Sequence, residues 1–312
     1  MSRVSAVLYH PRVSWFRRFL VHGVFWRQVL RWAVLMVPLW LEPLVMALWA
    51  FLFLLWGPGR RGVMRNLTAV VPGSTAVGNF FRTYRVFWNF AWTIADDVRF
   101  KEMRIGPDWE FAGSEHFEEL QSREGGAIIL TAHMGNYNLG AHLFAEISDR
   151  RIVMVRAPET DPQTREYEEE LHGRTAADGL KVGFSTRASD LAFDLLEAVQ
   201  RGEIVAIQGD RVTPGISGLP ASLFGKRTQL PAGPFALAMA ARVPIYPLFI
   251  VRLGRRRYRL IVSKPFEVTR TRDRAEAFDR AMQVWTRELE AVVRQGWFQW
   301  FTFEPYSEEL AA

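Results

Sequence analysis

From about residue 126 the chain alternates short apolar runs with amphipathic stretches, and few folds accept that pattern. Ala127–Thr131 reads AIILT, apolar on both faces, as a strand sandwiched between two layers must be. The same logic predicts strands at Arg151–Arg156, Leu180–Phe184, Glu203–Gln208, Ile245–Leu253 and Arg257–Ser263. Between and after them, helical spacing predicts Asn136–Ile147, Asp161–His172, Arg187–Gln200, Ala232–Ala241 and a long helix over Arg274–Arg294. This alternation specifies an α/β fold, with a central mixed, largely parallel sheet flanked by helices on both faces. Upstream, Val63–Val98 reads as helical with a break at Pro72-Gly73-Ser74, where Ser74 can cap a second helix. One connection is unusually long. Between Gln208 and Ala232 the chain is rich in Gly and Pro and leaves the carboxyl end of a strand, where open α/β sheets bind ligands.

The N-terminal fifth has a different character. Residues 1–65 carry nine Arg and one Glu, so the net charge of +6 resides there, because the remaining 30 basic residues face 32 acidic ones. Half of the 12 tryptophans, Trp15, Trp26, Trp32, Trp40, Trp49 and Trp56, lie in the same stretch. Ala33–Trp56 is 24 residues with Glu42 as its one charge. As a straight helix it would be ~36 Å long, against a hydrocarbon core of ~30 Å. Arginine and tryptophan around an apolar run suit an anionic membrane surface. Pro43 would kink such a helix near its middle. Three arrangements stay open: a kinked spanning helix, a hairpin lying in one leaflet, or a buried helix pair of a soluble core. No small-residue cleavage site follows Trp56, which argues against a secretory signal. Pro58-Gly59 marks the boundary, giving a membrane-anchoring segment over 1–62 and an α/β domain over 63–312. A slightly acidic folded domain is a poor match to nucleic acid. The absence of cysteine excludes a disulfide framework, a zinc ribbon, an iron–sulfur cluster and a thiol nucleophile.

Chemistry concentrates at Thr131-Ala132-His133-Met134-Gly135-Asn136-Tyr137-Asn138. A buried strand delivers His133 to its carboxyl end, Gly135 permits a tight turn, and Asn136 caps the next helix. The helix dipole disfavours the imidazolium, keeping His133 in the neutral state a general base requires, and the Gly135 N–H is a candidate oxyanion donor. A packed or capping histidine is the plainer alternative. No metal site is expected, since His133 and His142 have no partnering acidic cluster.

The segment AHMGNYNLGA resembles the His-x4-acid block of the lysophospholipid acyltransferase superfamily. It is most similar to the bacterial lipid A lauroyl/myristoyl acyltransferases and the related phosphatidylinositol mannoside acyltransferases. RRGVMRNLTAVVP (60–72), IVAIQGDR (204–211), LFGKRTQLPAGPFALAMAARVPIYPLFIVR (223–252) and QGWFQWFTF (295–303) resemble further blocks in the same order, over nearly the whole chain. The resemblance implies an acyltransferase without cofactor. It would move a fatty acyl chain from an acyl carrier protein or acyl-coenzyme A to a hydroxyl (or amine) of a lipid or glycolipid. It also implies a place on the inner (cytoplasmic) membrane, with the catalytic domain on the cytoplasmic face. The sequence departs from the family at Asn138, where an acid is expected. An amide can fix an imidazole tautomer but supplies no charge to stabilise imidazolium. Either the chain is an inactive relative that binds lipid or carrier as a scaffold, or the position is structural, or another carboxylate serves. Asp210, at the end of a neighbouring strand, is the candidate; a turn-capping role is its alternative. Arg211, Lys226 and Arg227, with Arg156 and Arg187 as weaker candidates, are placed to hold substrate phosphates. Trp297–Phe303 reads as core or membrane-edge packing. A glycosyltransferase would need an Asp-x-Asp motif, which is absent.

Overall fold

The computed structural model describes residues 24–148, 150–156, 180–184, 188–213 and 215–311. Its strands are β1 (Asp108–Ala112), β2 (Ala127–Thr131), β3 (Ile152–Arg156), β4 (Leu180–Phe184), β5 (Ile204–Gln208), β6 (Gly218–Leu223), β7 (Lys226–Pro231), β8 (Ile245–Gly254) and β9 (Arg257–Val262). Seven of them form one sheet in the order β1-β9-β8-β2-β5-β3-β4. From β8 to β4 the strands are parallel; β9 returns antiparallel to β8, and β1 lies parallel to β9 at the edge. The mixed, mostly parallel sheet agrees with the periodicity. Edge strand β1 escapes it, because two of the five residues of DWEFA are charged and none is buried.

The helices are α1 (Val24–Met36), α2 (Glu42–Leu55), α3 (Gly57–Val70), α4 (Ala76–Met103), α5 (Ser114–Ser122), α6 (Tyr137–Ile147), α7 (Ala188–Gln200), α8 (Gly233–Ala241), α9 (Arg274–Gly296) and α10 (Glu308–Ala311). The helix expected over Asp161–His172 lies outside the described residues. Alternation along β2 feeds two cores. Ile128 and Leu130 point into a layer with Phe278, Trp285 and Leu289 of α9, whereas Ala127 and Ile129 meet Leu120 of α5 and Leu139 and Phe144 of α6. Trp285 stacks on Phe249 with ring centroids 5.6 Å apart and donates its indole N–H to Gly209 O at 3.0 Å. A buried tryptophan of this kind is worth ~3–5 kcal/mol against alanine.

The long Gly/Pro connection is only partly irregular. β6 and β7 form a separate antiparallel hairpin around Phe224-Gly225, both in the left-handed region (φ 49° and 72°), the backbone that a two-residue hairpin turn demands.

At the N-terminus, Pro43 does not kink a long helix. It sits in the first turn of α2, where its missing N–H leaves no bond unmade, and α1 ends earlier at Met36. α2 and α3 meet at a bend of 91°; by length and composition the pair together could cross a membrane, but among the described residues no single helix is long and apolar enough to do so. Residues 62 and 63 fall inside α3. Gly62 packs so close to the C-terminal segment that a Cβ would lie 2.0 Å from Phe303 O. The helix after the Pro-Gly break is capped by Thr75, whose side chain accepts from the Gly78 N–H, and not by Ser74.

Met46, Ala50 and Leu54 of α2 are buried, beside Phe87, Ala91 and Ala95 of α4. Leu44, Leu48, Phe51, Leu52 and Leu55 follow helical spacing on its opposite, outward face, continuous in sequence with exposed Leu39 and Trp40. Trp40 is 79% exposed. The single charge of the apolar run points the other way. Glu42 is buried, 2.7 Å from Arg99 and also bonded to Arg255 in the β8–β9 turn. That ion cluster ties the start of the apolar helix α2 to α4 and to the sheet.

Candidate active site

Strand register brings His133 and Asp210 together. β2 and β5 are parallel neighbours, and Thr131 lies opposite Gln208, so the residues two places beyond each leave the sheet side by side at its carboxyl edge. Gly209 N–H donates to Thr131 O at 2.8 Å and carries the pairing one step past the strands. His133 Nδ1 then stands 2.7 Å from Asp210 Oδ1, and the His133 backbone N–H donates to Oδ2 at 3.2 Å. A third donor, the Trp300 indole N–H, reaches Oδ2 at 2.9 Å. No described residue bonds Nε2, and a fifth of the side chain (21%) reaches solvent.

The turn after His133 depends on Gly135. Its φ is +54°, and a Cβ there would lie 1.9 Å from Ile250 O, so only glycine fits. Asn136 caps α6 by accepting from Leu139 N–H at 3.2 Å, and its amide donates to Thr93 O at 3.0 Å, bracing the turn against α4. The C-terminal segment braces the other side. Gly135 N–H donates to Gln299 O at 3.0 Å, and Phe301 N–H donates to His133 O at 2.8 Å. The Gln299 amide, fully buried, bonds both N–H and C=O of Arg252 on β8, at 2.6 and 2.8 Å. The Gly135 N–H is therefore occupied and does not face an oxyanion, in contrast to the reading from sequence.

Electrostatics keep the pair in unequal states. Burial pushes the His133 imidazole below its ordinary value; Asp210 opposes this and Arg211 reinforces it. Burial alone would favour a neutral Asp210, but the imidazole, Arg211 and the Trp300 N–H outweigh it and hold the carboxyl well below the usual range. The result is a neutral, partly accessible imidazole backed by a carboxylate. A pairing of this kind can take a proton from an alcohol and stabilise the resulting imidazolium.

A model of the bacterial lipid A biosynthesis acyltransferase family matches residues 11–306. The chain belongs to that family. No curated protein sequence matches it significantly. It is an acyltransferase, and the family places it in lipid biosynthesis.

In this acyltransferase the carboxylate on the histidine comes from the neighbouring strand, while Asn138 lies half-buried in the first turn of α6. Of the cations singled out from sequence, Arg211 reaches the pair, its Nε lying 3.1 Å from His133 Nδ1. Lys226 and Arg227 begin β7 and engage Glu309 of α10 at 3.4 and 3.2 Å. Arg156 ends β3, its side chain outside what the structure describes, and Arg187 lies outside the described residues. Among the described residues no cluster of three or more His, Asp or Glu is arranged to hold a metal ion. Sequence reasoning assigned Trp300 to packing. It is buried, yet its N–H holds Asp210, and Gln299 holds the turn. The available signal was an amide and an indole side by side in an apolar stretch, since such groups, once buried, must find partners.

Proposed function

We propose that this enzyme transfers a fatty acyl chain from the thioester of an acyl carrier protein or coenzyme A to a hydroxyl (or amine) of a lipid or glycolipid acceptor, with His133 as general base. The carrying observation is the 2.7 Å contact between His133 Nδ1 and Asp210 Oδ1, with no described residue bonded to Nε2. Nε2 takes the acceptor proton as the acceptor oxygen attacks the thioester carbonyl. The tetrahedral intermediate collapses, the C–S bond breaks, and the imidazolium returns its proton to the departing thiolate. Asp210 stabilises the imidazolium in between. Because Asp210 offers the charge that Asn138 lacks, the active reading is favoured over a scaffold that only binds lipid or carrier.

The outward apolar face of α2 supports a lipid acceptor. The β8–β9 turn, which grips Leu39 O through Arg255 at 3.1 Å, follows the β8 strand that packs against the Gly135 turn, so the outward face of α2 and the histidine lie toward the same end of the sheet. On this reading the apolar face of α2 docks in the cytoplasmic leaflet of the inner membrane and delivers acceptor to the rim. Release of free thiol from acyl-coenzyme A or acyl carrier protein, in the presence of bacterial phospholipid and lipid A precursor, tests the proposal. His133→Ala should abolish it; unchanged release would end the assignment of the base.

A further inference from the structure

Two groups compete for one nitrogen of His133. Asp210 Oδ1 lies 2.7 Å from Nδ1, and Arg211 Nε lies 3.1 Å from the same atom. In neutral imidazole a ring nitrogen presents either a proton or a lone pair, never both. With the proton on Nδ1, the carboxylate accepts it and Nε2 keeps the lone pair, but the Arg211 N–H then faces another N–H. With the lone pair on Nδ1, Arg211 donates to it and Nε2 carries the proton, so the ring has nothing with which to accept a proton from a substrate. Asp210 thus favours the reactive tautomer and Arg211 the unreactive one. The other contacts of Arg211 leave it easy to recruit. Its Nη2 donates to Phe301 O at a long 3.3 Å, and although the Asp210 charge acts on it through space, no carboxylate oxygen accepts a hydrogen bond from it among the described residues. A guanidinium beside an open, partly exposed site is a strong bidentate partner for phosphate.

We propose that Arg211 makes His133 responsive to a phosphate group of the substrate. While Arg211 rests on the ring, it opposes the reactive tautomer. A bound phosphate monoester or diester draws the guanidinium away, and the ring settles as Nδ1–H on Asp210 with its base at Nε2. Phosphate recognition and activation of the base become one event, and selectivity enters turnover as well as affinity. The inference rests on His133 being the base and adds what switches it on. Among the described residues the charged groups against this ring are Asp210 and Arg211; Trp300 acts through Asp210, and the Tyr137 ring stands 5.8 Å away.

The tautomer can be read directly. The full-length chain, labelled with ¹⁵N-histidine and held in detergent micelles, gives Nδ1 and Nε2 resonances for His133, assigned by their loss in His133→Ala. Inorganic phosphate should move them from a form with substantial Nε2–H toward Nδ1–H. Coenzyme A and micellar phosphatidic acid, as separate arms, tell whether the donor or a lipid headgroup is the effective source. Arg211→Gln should start as Nδ1–H and ignore phosphate, while Arg211→Lys, with charge but no planar fork, should respond weakly. A wild-type ring that is wholly Nδ1–H from the start and indifferent to all three probes overturns the proposal, as does an Arg211→Gln ring that responds like wild type. In turnover, the kcat advantage of a phosphate-bearing acceptor over its phosphate-free analogue should be about tenfold or more and collapse toward unity in Arg211→Gln. If that variant instead raises KM and keeps the kcat ratio, Arg211 only binds and the switch is refuted. The two readings fail separately: an active His133→Ala removes the base, whereas a dead His133→Ala beside a phosphate-blind ring removes only the switch.

Discussion

Asparagine in place of Asp210 keeps the shape of the side chain and removes its charge, and the surroundings dictate how the amide must sit. Oδ2 receives two N–H donors, the His133 backbone at 3.2 Å and the Trp300 indole at 2.9 Å. An amide NH2 placed there would face both donors, so the oxygen must take that position and the NH2 must turn to His133 Nδ1. A donor at Nδ1 forces the lone pair onto it and the proton onto Nε2, the tautomer that cannot act as base. The same substitution also removes the charge that supports the imidazolium. Loss of both effects in a comparable histidine–carboxylate pair costs about 10⁴ in turnover, equivalent to ~5.4 kcal/mol of barrier. Asp210→Asn should therefore lower kcat by about 10³–10⁴-fold with KM little changed, because no substrate contact is lost. Thiol release under saturating acyl-coenzyme A measures this, with circular dichroism and a denaturation curve as checks on folding. A folded Asp210→Asn enzyme within tenfold of wild type would refute both the pairing and the tautomer reasoning.

Other expectations follow from the same contacts. Asn138→Asp should change turnover by no more than about threefold, since Nδ1 already has its carboxylate in Asp210; a large gain would mean that the natural amide limits catalysis. A general base must be neutral to work, and His133 is held below its ordinary 6.5, so the acidic limb of kcat/KM should lie below pH 6.5. Removing Asp210, which opposes that depression, should push the limb lower still; a limb above 6.5 would contradict the site's electrostatics. Glu42→Ala strands Arg99 in a buried site and should cost about 3–5 kcal/mol in urea unfolding. Trp40→Glu with Leu48→Glu should leave that unfolding curve in place, because both side chains face outward, while weakening flotation with anionic vesicles by about tenfold or more. Unaltered flotation would remove the outward face of α2 as the docking element.

Periodicity alone carried much of the fold. Doubly buried strands must be apolar on both faces, so AIILT and EIVAIQ announce themselves, and strand–helix alternation forces a largely parallel sheet. The DWEFA edge strand and the hairpin inside the Gly/Pro connection did not, because edges and excursions pack on one side and leave weak patterns. In sequence, Pro43 reads as a kink and Glu42 as the one charge within a single apolar run. The structure makes them a helix start and a buried anchor to Arg99 and Arg255, residues 57 and 213 positions away.

The site divides in the same way. Local sequence was enough to put an imidazole at a strand end before a glycine turn and a capped helix, because those preferences are set by residues a few positions apart. Only the tertiary structure could say that Asp210 stands on its Nδ1, that Trp300 and Gln299 come from the far end of the chain to hold carboxylate and turn, and that Arg211 disputes the same nitrogen. Those contacts join residues 77 to 164 positions apart, and which of them meet is decided by strand order and register, a property of the assembled sheet and of no single segment.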